Sequence, residues 1–431
     1  MGSPSTQLGA DHSATGFGRR HTVVGLTFFA CFVAYTDRVN IAVAAVAMKE
    51  QLGWTQTQKG LVLSSFFVGY MLFMFASGLL ANRFGGKRVL GFAVLAWSLF
   101  TLITPLMASI SLGALIAARI GMGIGEAAMF PSAIELFSRW VPLSERTRAV
   151  ARMLSGIPLG TLVGLIATGW IVSHYDWPMA FYSFGLLGLL WAVAWFVCVS
   201  NDPASDPRIS RAERTLLAPA RSNSSQADVT PWRKLLLHGP LWAMVAAHFA
   251  TTWSLYVLLS WLPSYFREVQ GLSIANAGLF SAAPWLAMFL VTNISASVSD
   301  RMVLRGISLT RVRKIIQCIG LLGPAIFLLL LRDVHSASLA LVLLCCATGA
   351  LGCTWSGYAP NGLDMAPRYA GMIMGFSNTF ATIPGIVGVA ITGWLVDVTG
   401  TYTAAFVLTA TISAAGALIY GLFFDARQIT E

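Results

Sequence analysis

Twelve times along this chain of 431 residues, a run long and apolar enough to cross a lipid bilayer is followed by a polar break. The runs lie near 22–48, 60–82, 89–108, 112–138, 148–172, 179–199, 239–265, 276–298, 315–332, 337–360, 370–396 and 402–424. A membrane helix needs roughly 20 mostly apolar residues. The pattern therefore predicts an all-α membrane protein with twelve transmembrane helices. Charged residues make up 11% of the chain, against roughly 25% in soluble domains, and the deficit extends over its whole length.

The charges that remain are distributed unevenly. Lys49, Lys59, Arg267 and Arg332 are the cations of the alternate loops on one side. The other side holds Arg19, Arg20, Arg83, Lys87, Arg88, Arg139, Arg146, Arg148 and Arg152, the linker cations, and then Arg301, Arg305, Arg311, Arg313, Lys314, Arg368 and Arg427. Such a bias places the basic side, with both termini, in the cytoplasm. Because the net charge of +10 sits in short loops rather than on a solvated face, nucleic-acid binding is not expected.

The longest polar stretch, 200–238, reads as a cytoplasmic linker between an N-terminal six-helix bundle (22–199) and a C-terminal one (239–424). Residues 1–21 read as a disordered cytoplasmic N-terminus and 425–431 as a cytoplasmic tail. The first run follows Arg19 and Arg20 as a signal peptide would, but it is too long and contains Asp37 and Arg38, so it reads as an uncleaved span. The six cysteines fall in or beside apolar runs without metal-ligand spacing, which makes them packing residues.

The two groups of six share a weak repeat. After the second run comes Gly78-Leu79-Leu80-Ala81-Asn82-Arg83-Phe84-Gly85-Gly86-Lys87-Arg88; after the eighth comes Ser299-Asp300-Arg301, followed by Arg305 and the cluster Arg311, Arg313 and Lys314. Internal duplication of this kind is common in carriers. The Gly78–Arg88 segment resembles the signature loop of the major facilitator superfamily, with Asn82 where the family usually carries Asp. The resemblance implies two six-helix bundles latched on the cytoplasmic side by this loop, through Arg83, and by its counterpart at Asp300 and Arg301. A neutral Asn can still accept a hydrogen bond at a helix N-terminus but loses the charge–dipole contribution.

Four ionisable residues lie inside apolar runs: Asp37 and Arg38 in the first, Arg119 and Glu126 in the fourth. Left unpaired they would cost on the order of 10 kcal/mol; two acids and two bases can neutralise one another. Arg119 and Glu126 are two turns apart on one helix face, whereas Asp37 and Arg38 point about 100° apart. One member of the latter pair can therefore face a central cavity while the other faces the fourth helix. A static ion-pair clamp would explain these residues. So would a proton and anion site, the usual role of intramembrane charges.

Tyr35-Thr36-Asp37-Arg38-Val39-Asn40-Ile41 resembles the first span of the anion:cation symporter family, which includes bacterial sugar-acid permeases, sialin and the vesicular glutamate carriers. Arg119-Ile120-Gly121-Met122-Gly123-Ile124-Gly125-Glu126, with Phe130-Pro131 and Trp140-Val141-Pro142, resembles its fourth span and following loop. The string from Asn361 to Gly371 resembles its loop before the eleventh span, and Asn378-Thr379-Phe380-Ala381-Thr382-Ile383-Pro384-Gly385 that span itself. The resemblance implies proton-coupled import of a small organic anion by alternating access, with Asp37 and Glu126 carrying the proton, Arg38 holding the substrate carboxylate and Arg119 as partner of Asp37. Tyr35, Tyr70, Trp355 and Asn378 would line the site. Ile157-Pro158 and Gly352 stand where sugar-acid permeases carry polar groups, which favours a more apolar or aromatic acid.

Glu135, towards the cytoplasmic end of the fourth run, reads as a gate or as an ion pair with Arg139 or Arg152. His248 could titrate near neutral pH or pack with a hydrogen bond. Trp253, Tyr256, Trp261 and Tyr265 could line a cavity or form an interfacial belt. Gly121, Gly123 and Gly125 suit close helix packing. A multidrug or metabolite efflux antiporter of the same fold is the competing reading, half supported by Ser155-Gly156-Ile157-Pro158-Leu159-Gly160; a transporter-like ligand sensor is another. No enzyme or metal motif stands out in the spans. No cofactor is implied beyond the proton as coupling ion, and a monomer in a bacterial inner membrane is expected, with the bilayer and the anion as partners.

Overall fold

A computed structural model describes residues 18–217 and 232–427. The disorder expected of the extreme N-terminus, the middle of the linker and the last residues of the tail lie outside the described residues. Twelve helices are long and apolar enough to cross a membrane: span 1 (Arg19–Leu52), span 2 (Gln56–Phe84), span 3 (Gly86–Ile110), span 4 (Leu112–Trp140), span 5 (Leu143–His174) and span 6 (Pro178–Cys198) in the first half. In the second half they are span 7 (Gly239–Glu268), span 8 (Ile274–Leu304), span 9 (Leu309–Asp333), span 10 (Ala337–Met365), span 11 (Pro367–Thr399) and span 12 (Thr403–Phe423). No strand occurs among the described residues.

Their ends follow local chemistry. Gly53, at φ 68°, closes span 1 in the left-handed conformation that a side chain would disfavour. Thr55 then opens span 2, its side chain accepting the Gln58 N–H. Ser111 does the same for span 4 through the Ala114 N–H, at 3.1 Å. The burial pattern is the reverse of that of a soluble protein. Phe92, Leu190 and Leu418 are more than 60% or about 60% exposed (62%, 60% and 63%), while Asp37, Lys59 and Arg119 are 2% exposed or less. A surface so apolar is covered by lipid.

The halves repeat each other's packing. Span 1 lies on span 5 as span 7 lies on span 11; spans 2 and 4 pair as 8 and 10 do, and spans 3 and 6 as 9 and 12 do. The two six-helix bundles then meet along span 2 against span 11 and span 5 against span 8. Small residues permit the close approaches. A side chain at Gly123 in span 4 would run into the Phe66 carbonyl, and one at Gly160 in span 5 into the Phe32 carbonyl.

Span 4 is interrupted at Ala127–Ala128, immediately after Glu126. Ser77 of span 2 donates to the Ala127 carbonyl at 3.0 Å, satisfying a group at the break. Span 10 breaks at Cys353, and Gln317 accepts the Tyr358 N–H beyond it at 3.0 Å. The six cysteines are all free.

Span 1 begins at Arg19, earlier than the hydropathy pattern indicates, because the linker caps it. Glu213 accepts the Arg19 and Arg20 backbone N–H groups at 2.9 Å each. Asp206, fully buried, receives the Arg208 N–H at 2.9 Å and faces Arg19 at 3.4 Å. Burial pushes its carboxyl up, but the Arg208 hydrogen bonds and the two arginine charges outweigh this and hold it below the ordinary value. The described start of the linker thus folds onto the first half, while Leu235 near its other end is buried with Leu241 and Met244 of the second.

Candidate functional site

The four intramembrane charges converge midway through the first half. The Arg38 guanidinium bonds Glu126 Oε2 through Nη2 at 2.7 Å and Nε at 3.2 Å, joining span 1 to span 4. Three rings surround it: Tyr35 at 4.6 Å, Phe66 at 4.8 Å and Tyr70 at 5.2 Å from guanidinium carbon to ring centroid. Cation–π attraction and the ion pair together hold a charge that is almost out of contact with water.

Asp37 and Arg119 take a different arrangement from the pairing the resemblance implies. Neither carboxylate oxygen of Asp37 has a hydrogen-bond partner among the described residues, although the side chain is wholly buried. Arg119 directs Nη1 to the Met122 sulphur at 3.0 Å and lies over Phe66 at 5.5 Å, and its Nε is unsatisfied. The two form no ion pair in this conformation. Thus the site holds one tight ion pair, one loose arginine and one unpaired carboxylate. A cavity of about 10 Å³, room for a single water, adjoins Arg38 and Arg119 and reaches Leu259 and Ser260 of span 7.

The opposite half contributes aromatic and neutral polar groups. Tyr256 meets Phe67 with ring centroids 4.4 Å apart and lies close enough for its phenol to interact with the Arg38 charge. Of the aromatics of span 7 it is therefore the one that faces the Arg38 site. Trp253, Trp261 and Tyr265 are buried in the helix contacts, not in an interfacial belt. Asn378 donates to the Met74 sulphur across the halves at 3.1 Å, and Trp355 is 44% exposed and lies near Tyr358. His248 is bonded to Ser377 Oγ at 2.9 Å and stacked on Tyr358, the packing alternative. Gly352 lies against the Met288 carbonyl and Thr292 of span 8. Close helix contact, not a lost substrate hydroxyl, accounts for glycine there.

The expected latch residues Arg83, Asp300 and Arg301 are exposed and form no ion pair among the described residues. Asn82 is exposed as well; the N-terminus of span 3 is capped instead by Glu135, which accepts the Gly86 N–H at 2.5 Å and pairs with Arg139 at 2.5 Å. The corresponding place in the second half is occupied by Arg313 and Asp364, at 2.8 Å.

The opposite end is sealed by residues that sequence reading treated as loop cations or passed over. Glu268 accepts from Lys59 at 3.0 Å, Lys49 at 3.3 Å, Gln56 at 2.6 Å and Tyr402 at 2.7 Å. Lys59 is not in a loop but in the first turn of span 2, fully buried between Glu268, Ser264 and the face of Trp261. Asp397 of span 11 caps span 2 from across the interface, accepting the Gln56 and Thr57 N–H groups at 2.9 and 2.7 Å. The sequence signal for Lys59 was a lysine only four residues after the Thr55 cap, too far into a helix to be outside it.

The sequence profile described as Major Facilitator Superfamily matches residues 27–389. The chain belongs to the major facilitator superfamily. It is a multi-pass membrane transporter by family and not an enzyme. The chain is 38% identical to "Probable anion transporter 4, chloroplastic" of Oryza sativa subsp. japonica over 96% of its own length and 70% of that protein's. It is 36% identical to sialin of Ovis aries over 94% and 89%. Among solved structures it resembles a bacterial homolog to the human lysosomal transporter Spinster, captured inward-facing and unoccupied. The TM-score is 0.73 at 16% identity, covering 96% of this chain and 95% of that one. That likeness is one of fold. The motif resemblance to sialin-type carriers holds along nearly the whole chain.

Proposed function

We propose that this transporter is a proton-coupled symporter that imports a small organic carboxylate. The observation that carries the reading is the Arg38–Glu126 pair, buried among Tyr35, Phe66 and Tyr70 and adjoined by the unpartnered Asp37. A guanidinium held by a carboxylate of the protein can exchange it for a carboxylate of a substrate, because both fit the same planar fork. When that exchange happens, Glu126 loses its counter-charge in a water-poor site. A carboxylate so placed is most stable with a proton bound. Anion and proton thus favour each other's binding through a single coupling free energy. Asp37, beside the same site, supplies a second place for a proton, and Arg119 a cation to which Asp37 can turn once deprotonated.

The names of relatives support an anion as the transported species. The rings of Tyr35, Phe66, Tyr70 and Tyr256 support an acid with an apolar or aromatic body. The arginine-rich side, with the termini and the linker, faces the cytoplasm in this reading, and the seal around Glu268 lies on the far side. Alternating access then consists of breaking that seal and forming a contact at the Arg83, Asp300 and Arg301 end.

The test is uptake into proteoliposomes of a panel of labelled carboxylates, with inorganic phosphate included, under an imposed proton gradient. Accumulation of a carboxylate that collapses with a protonophore is expected. Uptake indifferent to the gradient, or confined to phosphate, would overturn the proposal.

A further inference from the structure

A charged cavity lies away from the central site. It encloses about 180 Å³ at the termini-bearing end and is lined by Arg20, His21, Glu145, Arg148 and Arg152, with Val24, Val141 and Ala149 as its apolar wall. It is formed where the start of span 1 meets the loop between spans 4 and 5. Its charges do not cancel. Glu145 and Glu213 are both engaged by Arg20, at 3.0 and 3.4 Å. Arg148 and Arg152, one helical turn apart, have no acidic partner among the described residues. Two exposed guanidiniums on one face of a helix thus project into a cavity whose lining carboxylate, Glu145, is already engaged by Arg20.

We propose that this cavity binds the phosphate headgroup of an anionic phospholipid. The chemistry requires an anion with several acceptor oxygens, which two guanidiniums bind through paired N–H groups. A lipid is favoured over free phosphate by what adjoins the cavity. Gly25, one turn beyond His21 on span 1, has nothing within 4 Å of where a side chain would stand. Phe29, a further turn along, is 43% exposed on the lipid-facing surface. The membrane face of span 1 beside the charged cavity is thus open at Gly25 and apolar at Phe29, where an acyl chain can lie. Basic cavities between membrane helices near the interface are suited to such headgroups. A headgroup seated there bridges the start of span 1 to the first turns of span 5. The proposal is independent of the transported substrate.

The full chain in detergent is titrated with phosphatidylglycerol, phosphatidylcholine or sodium phosphate, with retained lipid counted by native mass spectrometry and melting temperature followed in parallel. Phosphatidylglycerol is expected to be retained and to raise the melting temperature, and phosphatidylcholine to do neither. Arg148→Gln with Arg152→Gln should weaken phosphatidylglycerol retention roughly tenfold or more. Arg148→Lys with Arg152→Lys should keep most of it, and Arg332→Gln at the other end should change nothing. Both arginines are exposed, so melting in phosphatidylcholine should match the parent chain. Equal retention by the double glutamine variant, an equal loss in Arg332→Gln, or full protection by sodium phosphate alone would each overturn the proposal.

Discussion

The two halves of this transporter share a packing plan and differ in chemistry. Each pairs its first helix with its fifth, its second with its fourth and its third with its sixth. Yet Asp37, Arg38, Arg119 and Glu126 all sit in the first half. The buried polar groups in the middle of the second are neutral: Gln317 Nε2 donates to Thr251, Asn361 Nδ2 to Tyr420, and His248 meets Ser377. Its ionised groups are at the ends, among them Glu268, Asp397 and the Arg313–Asp364 pair. Packing symmetry needs only small residues and apolar faces at matching positions, so a duplicated bundle retains it. A buried charge is costly away from groups of opposite sign, so the four ionisable residues of the first half lie in one cluster. Under the symport reading, ion chemistry belongs to one half, while the other supplies the wall and the gate.

The largest effect should come from breaking the charged half at its centre. Arg38→Lys keeps a cation but loses the fork that fits a carboxylate. Losing such a bond in a buried site costs about 2–5 kcal/mol, so anion affinity should fall by at least roughly thirtyfold. Equilibrium binding of a carboxylate found by the uptake screen measures this; unchanged affinity would remove Arg38 from the anion site.

Glu126→Gln separates coupling from binding. The amide imitates the protonated acid, so the anion should bind within a few-fold of its normal affinity, while uptake under a proton gradient falls to the level of equilibration. Asp37→Asn should act in the same direction and less completely. If both variants still accumulate anion fully, the proton passes elsewhere.

A smaller effect is expected at the seal between the halves. Lys59→Met keeps the volume and removes the cation, leaving Glu268 with Lys49, Gln56 and Tyr402. One charge-assisted bond is worth about 1.5–3 kcal/mol, so the sealed state should lose roughly ten- to hundredfold of its advantage. A cysteine at Ser260, which lines the central cavity, should then react faster with an impermeant reagent added from the Lys59 side. An unaltered labelling rate would show that the seal rests on Asp397 and on helix packing instead.

These differences were unequally visible in the sequence. The twelve spans, the halves and the convergence of four charges could be read because hydropathy and helical periodicity are local properties. Which charges pair could not, since the direction of Arg38 towards Glu126 depends on how spans 1 and 4 cross. Lys59 reads as a loop cation in the sequence because its Glu268 partner lies in the other half, 209 residues away. The gate role expected of Asp300 and Arg301 finds no contact here: both are exposed and form no ion pair among the described residues. Glu135 reads in the sequence as a gate or as a partner of Arg139 or Arg152; it pairs with Arg139, and its capping of Gly86 required the fold.

The smallest expected effect tests the neutral half directly. His248 is the buried residue there whose unperturbed side chain would titrate near neutral pH. It is 5% exposed, hydrogen-bonded to Ser377 and stacked on Tyr358. A ring satisfied on one side by a hydroxyl and covered on another by an aromatic face serves packing. His248→Asn retains a polar group able to reach Ser377 and abolishes any titration at this position. Uptake should therefore stay within about fivefold of the parent, given a cost near 1 kcal/mol for the weakened contact, with the same dependence on external pH. A displaced pH profile in His248→Asn, with folding intact, would place a proton-binding group in the second half and end the division of labour drawn between the two.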